Sequence, residues 1–223
     1  MRLSIVMPVL DEAVEIDAAL AALAPLRADG QQLIVVDGGS RDGTLAQCVG
    51  RTDELLQWAR GRAAQMNAGA AQAQGDVLLF LHADTRLPGD AAVAIEQAIS
   101  AGAQWGRFDV TITGRSLMLP LIAALMNLRS RWSGIATGDQ AIFVRRDLFE
   151  RIGGYADLPL MEDIDLCKRL RAGSAPTCLR QRVSTSGRRW DERGVWRTII
   201  LMWRLRWRYW RGEPAEALAR AYR

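Results

Sequence analysis

Three apolar runs in the first half of the chain each stop on a carboxylate or just before one, and nothing else restricts the fold as strongly. Leu33-Ile34-Val35-Val36 runs into Asp37, and Val77-Leu78-Leu79-Phe80-Leu81 runs into His82-Ala83-Asp84. The opening run, Leu3–Val9, is followed by Asp11 and Glu12. Unbroken runs of this length, rich in branched aliphatic residues, suit strands buried on both faces. Helical spacing fills the gaps: Ile16, Leu20 and Leu23 share one stripe of a helix expected from about Glu12 to Ala24. Further helices are expected from Arg62 to about Ala73 and from Pro88 to about Ser100. This alternation calls for a parallel sheet with right-handed crossovers. In such sheets ligands bind at the carboxyl ends of the strands, so three strand ends would bring acidic groups to one edge.

A short helix from Thr44 and a brief strand over Glu54–Gln57 complete the first half. Beyond residue 100 the rhythm loosens. Trp105–Thr113 and Ala141–Val144 read as strands, Leu117–Arg131 as a mostly buried helix, and Met161–Arg171 as another helix. No internal repeat or low-complexity linker interrupts the 223 residues. The reading is one α/β domain over residues 1–187, with a nucleotide-binding half to about residue 100 and a covering half after it. A helical segment over 188–223 follows.

Three cysteines, odd in number and without C-x-x-C spacing, point to a reducing compartment and away from a disulfide framework or zinc site. The apolar start is too short for a signal peptide. Leu117–Leu128 is broken by Pro120 and Asn127 and falls short of the ~20 residues a bilayer requires. The expected location is cytoplasmic, with peripheral attachment to the inner face of the membrane as an option. The net charge of +4 is unevenly placed: ten arginines lie between Arg180 and Arg211 against only Asp191 and Glu192. Five of the eight tryptophans fall in the same span. Trp196, Trp203, Trp207 and Trp210 recur at helical spacing, which suits packing on the domain or a homodimer contact through residues 190–211. An interfacial membrane helix is the alternative. Nucleic acid stacking on the tryptophans is a distant third, and no nucleic-acid partner is expected.

A dinucleotide G-x-G-x-x-G fingerprint after the first strand is absent, as is a Walker A loop, which argues against hydride transfer and ATPase chemistry. Asp37 instead leads into Gly38-Gly39-Ser40-Arg41-Asp42-Gly43-Thr44. Its carboxylate can accept hydrogen bonds from ribose hydroxyls or a base N–H; the plainer reading is a tight turn before a capped helix. His82 and Asp84 point to the same side of an extended segment and can hold one divalent cation together with a diphosphate. Imidazole suits Mn2+ better than Mg2+. The plainer reading is a hydrogen-bonded histidine and a capping aspartate. Arg62, with Asn67 on the same helix, can meet phosphate at the helix N-terminus, or be an ordinary solvated residue. Gly69 reads equally as a close-packing point. Asp139 lies in Gly138-Asp139-Gln140, which can reach a sugar or simply turn the chain into the next strand. Glu162 and Asp163 open a helix, where acids often only complement the dipole. A carboxylate facing a bound donor is also what deprotonation of an acceptor hydroxyl needs.

Taken in order, Ser4–Glu12, the Val-Val-Asp-Gly-Gly-Ser-Arg-Asp-Gly-Thr stretch over 35–44, Phe80-Leu81-His82-Ala83-Asp84 and Met161-Glu162-Asp163 resemble family-2 glycosyltransferases of the GT-A fold. The resemblance covers about residues 3 to 175. The short length and the Arg188-Arg189-Trp190 tail are similar to a bacterial subgroup named for radical-SAM and selenoprotein-domain neighbours. It implies an α/β/α sandwich with a mostly parallel central sheet. It also implies metal-assisted, inverting transfer of a sugar from a UDP- or GDP-sugar to an acceptor hydroxyl, the acceptor being a small molecule or lipid-linked. Pro8, Val9, Glu12 and Asp37 would line the nucleotide pocket, and Arg62, Asn67, Ala83, Asp84 and Asp139 join them as candidate donor contacts. Asp84 matches the last carboxylate of the family's D-x-D motif, which with His82 would hold Mn2+ or Mg2+. Asp163 matches the general base of the E-D motif, with Glu162 beside it. His82 stands where the first Asp of D-x-D is usual. That departure keeps a second class in view: a non-catalytic scaffold of this fold binding a membrane or protein through its Trp/Arg tail. A sugar-nucleotide pyrophosphorylase would need a glycine-rich N-terminal signature that is missing.

Overall fold

A computed structural model describes residues 1–222. Eight strands form one sheet: β1 (Leu3–Val9), β2 (Gln32–Asp37), β3 (Glu54–Gln57), β4 (Val77–Phe80), β5 (Thr85–Arg86), β6 (Trp105–Thr113), β7 (Phe143–Arg145) and β8 (Thr177–Ser186). Their order is β3-β2-β1-β4-β7-β6-β8-β5. β3, β2, β1 and β4 run parallel, so the three apolar runs end on the same edge, with Val9 opposite Asp37. β7 is inserted antiparallel between β4 and β6, and β8 runs parallel to β6.

Every residue of β1 is buried, because helices cover both faces. Leu3, Ile5, Met7 and Val9 face a layer containing α1 (Ile16–Ala28), α4 (Ala91–Ser100) and α5 (Leu119–Ser133). Val6, Ile34, Val36, Leu78 and Phe80 face the opposite layer, built from α3 (Arg62–Ala71), α6 (Arg146–Arg151) and α7 (Glu162–Gly173). The sandwich with its mostly parallel central sheet is the expected one. On the α3 side, a Cβ at Gly69 would lie 2.5 Å from Val6 Cγ1 and 3.0 Å from Val36 Cγ2. That glycine lets the helix settle onto the sheet.

Several elements depart from expectation. α1 begins at Ile16 instead of Glu12, because the Glu12 carbonyl accepts from the amides of both Glu15 and Ile16 at 2.9 Å and closes a turn first. It then continues through Pro25 to Ala28. α5 is buried along one side only: Leu121, Leu125, Leu128 and Trp132 are all more than half exposed. β8, a ten-residue strand, and α6 had no counterpart in the sequence reading. The tail forms α8 (Arg188–Arg193), α9 (Val195–Trp210) and α10 (Ala215–Tyr222), with α2 (Thr44–Cys48) the remaining α-helix. Leu205 of α9 and Leu218 of α10 bury against Met161 and Ile164 at the start of α7. The tail therefore packs on the domain.

Candidate active site

The loops after β1 and β2 are stitched to each other. Asp37 is fully buried, and its carboxylate accepts from the amides of Gly39 at 2.9 Å and Ser40 at 3.0 Å and from the Ser40 hydroxyl. The Asp11 amide donates to Ser40 Oγ at 2.9 Å, and the Glu12 amide to Thr44 Oγ1 at 2.8 Å. Asp42 Oδ1 accepts from the Thr44 hydroxyl at 2.5 Å, and Oδ2 from the Ala13 amide at 2.9 Å. These bonds, from Thr44 first, hold the Asp42 carboxyl below the usual range. The Gly-Gly-Ser-x-Asp-Gly-Thr stretch is thus a clamp on the β1 loop, and Asp37 has its oxygens engaged by its own turn.

From beneath, the buried Gln65 of α3 donates its amide to the Val9 carbonyl at 2.9 Å and the Val36 carbonyl at 2.7 Å. This clip pins the ends of β1 and β2, where Pro8 and Val9 are buried. Asn67, one of the expected donor contacts, is occupied elsewhere. Its amide bonds the Tyr155 backbone twice, donating to the carbonyl at 2.8 Å and accepting from the amide at 2.9 Å.

Past β4, Ala83 is buried and its carbonyl accepts from Arg86 at 2.6 Å. His82 Nδ1 lies 3.6 Å from Asp139 Oδ1. Asp139 sits in a 3-10 turn over Gly138–Gln140, and the imidazole occupies the space a side chain at Gly138 would need. Burial opposes the Asp139 charge. The contact with His82 and the guanidiniums of Arg62 and Arg189 outweigh it and keep the carboxyl low. The neighbouring Gly138 amide donates to Asp163 Oδ2 at 3.0 Å, and the Ile164 amide to Asp163 Oδ1 at 2.7 Å. A continuous path therefore runs from the end of β4, through the 3-10 turn, to the first turn of α7. Burial, followed by the adjacent Glu162, pushes the Asp163 carboxyl up from 3.8 to about 6 despite those two amides. Glu162 itself is buried.

Asp84 and Glu12 face each other across the same edge. Burial, and then the Asp84 charge, raise the Glu12 carboxyl, opposed by Arg188 and Arg62. Glu12 Oε2 is buried without a hydrogen-bond partner. Asp84 makes one side-chain bond, from the Thr85 hydroxyl at 3.3 Å. Among the described residues no three His, Cys, Asp or Glu side chains converge on one cation. The His82 imidazole is turned to Asp139 and not to Asp84, and Asp84 and the orphaned Glu12 oxygen are the acidic atoms without an ion-pair partner. An ion held by one or two carboxylates plus phosphate oxygens fits that set. Of the cations beside these acids, Arg62 was expected from sequence, whereas Arg189 and Arg129 were not singled out as site residues. Arg189, at the start of α8, has its guanidinium pulled down by burial and by Arg62, and partly restored by Asp139 and Asp84. Arg129 of α5 is similarly lowered by burial, feels the Asp163 charge and leaves Nη2 buried without a partner. Carboxylates and guanidiniums from β1, β4, α3, α5, α7 and α8 thus meet at one strand edge, able to bind a diphosphate and to hold a base beside it.

Comparison with known proteins bears on the family and the fold. The probable glycosyltransferase YdaM of Bacillus subtilis is 28% identical over 196 residues, covering 76% of this chain and 46% of YdaM. Among solved structures, S. aureus TarS 1–349 in complex with UDP-GlcNAc superimposes with a TM-score of 0.66 at 16% identity, covering 83% of this chain and 58% of TarS. The Pyrobaculum calidifontis mannosyltransferase PcManGT, in complex with GDP-Man and Mn2+, gives 0.64 at 19% identity, covering 92% and 60%. The chain thus spans less than two thirds of the length of each of these proteins. Residues 4–153 match glycosyl transferase family 2, about two thirds of the chain, and the chain belongs to that family.

Proposed function

We propose that this chain transfers a sugar, with inversion, from a UDP- or GDP-sugar to an acceptor hydroxyl. The observation that carries the reading is Asp163, a carboxyl raised to about 6 and tied through Gly138 to the turn that faces His82. A base is most effective when its pKa lies near the working pH, and simple helix capping would hold a carboxyl low instead. Ionised Asp163 takes the acceptor proton as the acceptor oxygen attacks the anomeric carbon from the face opposite the leaving diphosphate. Glu162 sustains that basicity by its charge. Arg62, at the first turn of α3, and Arg189 place positive charge where the diphosphate would lie. Asp84 and the partnerless Glu12 oxygen suit a divalent cation bound with the donor, Mn2+ or Mg2+. When bound, such a cation offsets charge building on the leaving diphosphate. Asp37 shapes the nucleotide pocket through its turn, and a direct contact with the nucleotide would require it to release one of those bonds. The complexes of TarS with UDP-GlcNAc and of PcManGT with GDP-Man and Mn2+ support the donor class and the cation.

The test pairs binding with turnover. Donor binding is followed by thermal shift and calorimetry against UDP- and GDP-sugars with Mn2+. Asp84→Ala is expected to lose binding. Asp163→Asn is expected to retain it while turnover drops by roughly 10²–10⁴, the usual worth of a general base. Normal donor binding by Asp84→Ala would remove the cation assignment. Failure of the unaltered protein to bind any nucleotide would leave the scaffold reading standing.

A further inference from the structure

One face of α9 is buried and the other is bare. Thr198 and Leu205 point inward. On the opposite side Trp196, Ile200, Trp203, Trp207 and Trp210 repeat at intervals of four and three, each more than half exposed, with Trp210 at 77%. A contiguous apolar stripe of this kind marks an interaction surface. The helix carries Arg197, Arg204, Arg206 and Arg208, with Arg211 next, and no carboxylate. Beside the stripe, α8, α9 and α10 border an open cavity of about 660 Å3 lined by Arg193, Arg197, Arg204 and Tyr222. Among the described residues no acidic side chain lines it.

The charge pattern selects the occupant. In a symmetric dimer through the stripe, each helix would meet its own copy. Arg197, Arg204, Arg206 and Arg211 would then be brought against their own copies with no acid on the helix to offset them, Arg208 alone being paired, with Glu213. A bilayer surface gives each group what it lacks. Tryptophans rest at the level of the lipid headgroups, and guanidiniums meet phosphates, which they bind with two parallel hydrogen bonds. α5 adds apolar exposure: Leu121, Leu125, Leu128 and Trp132 are each more than half exposed. We propose that α9 docks this protein on an anionic phospholipid surface, its tryptophan stripe lying at the boundary between headgroups and acyl chains and its arginine-lined cavity receiving lipid phosphate. The inference does not depend on the transfer reaction, and lipid binding and donor binding are measured separately.

The experiment is co-sedimentation of the full chain with phosphatidylcholine vesicles, with and without phosphatidylglycerol, at low and high salt. The expected result is salt-sensitive binding to the anionic vesicles, with a blue shift of tryptophan emission. Trp203→Ser with Trp207→Ser should weaken binding roughly tenfold or more, as loss of buried apolar area at an interface does. Arg193→Gln with Arg197→Gln and Arg204→Gln should remove the preference for phosphatidylglycerol. All five positions are surface or cavity-lining, and thermal melts check that the variants remain folded. Inorganic phosphate is the competitor: stabilisation by phosphate without vesicle binding would make the cavity a soluble-phosphate site and overturn the proposal. Vesicle binding unchanged in the tryptophan variant would also overturn it. So would a concentration-dependent dimer, dissolved by that variant and indifferent to vesicles, which would give the face to a second copy.

Discussion

In the proposed reaction, Asp163 links stability to turnover through one proton. Its carboxyl is raised from 3.8 to about 6, chiefly by burial and then by Glu162. Below about pH 4 it is protonated in the folded and unfolded chain alike, so its perturbation has no effect on stability. Between about 4 and 6 the unfolded chain releases the proton first, so stability falls as pH rises and remains reduced above that window. Activity should move the other way, rising through about pH 6 as the base ionises. Asp163→Asn should therefore melt no lower than the parent at pH 7.5 and lose the acid limb of the kcat profile along with turnover. Thermal melts and a pH–rate series measure both. Its role was suggested by the Glu-Asp pair in the sequence, but its titration was not legible there. Spacing says nothing of what buries a helix terminus, and the contact with Gly138 spans 25 positions of chain.

Elements were legible where the strand carries its own pattern. β1, β3 and β6 occupy the residues expected of them, since each is an apolar or alternating run with clear ends. β8 was missed because its sequence, Thr-Cys-Leu-Arg-Gln-Arg-Val-Ser-Thr-Ser, is polar and only Val183 and Thr185 are buried. It is a strand because β6 pairs along it on one side and β5 at its end on the other, and such long-range pairing outweighs local preference. The convergence of acidic strand ends was readable from the alternation of strand and helix. The Gln65 clip was not, because a lone polar residue on a helix declares no partner. Gln65→Leu would take one donor from each of the buried Val9 and Val36 carbonyls, Val9 keeping only the Gly38 amide at 2.9 Å. The expected cost is about 1–3 kcal/mol, read as a lower denaturant midpoint, together with weaker donor binding as the two strand ends loosen.

At the scale of the whole molecule, the tail is structural. Sequence composition set residues 188–223 apart as a chemically distinct segment, yet Leu205 and Leu218 are almost fully buried on Met161 and Ile164. Lys168 of α7 also lies 4.5 Å from the centre of the Tyr209 ring. Each fully buried leucine contributes roughly 1.5–3 kcal/mol. A chain ending after Gly187 should melt roughly 10 °C lower, and since α7 carries Asp163, its turnover should fall further than its donor binding. Equal melting of the two forms would show that the tail is dispensable to the domain.

The imidazole of His82 fills the volume beside Gly138: a Cβ there would come within 2.5 Å of the ring. A side chain at Gly138 would have to push that ring away from its place beside Asp139. Gly138→Ala is therefore expected to break the contact between His82 and Asp139, and His82→Ala to make room for the added methyl.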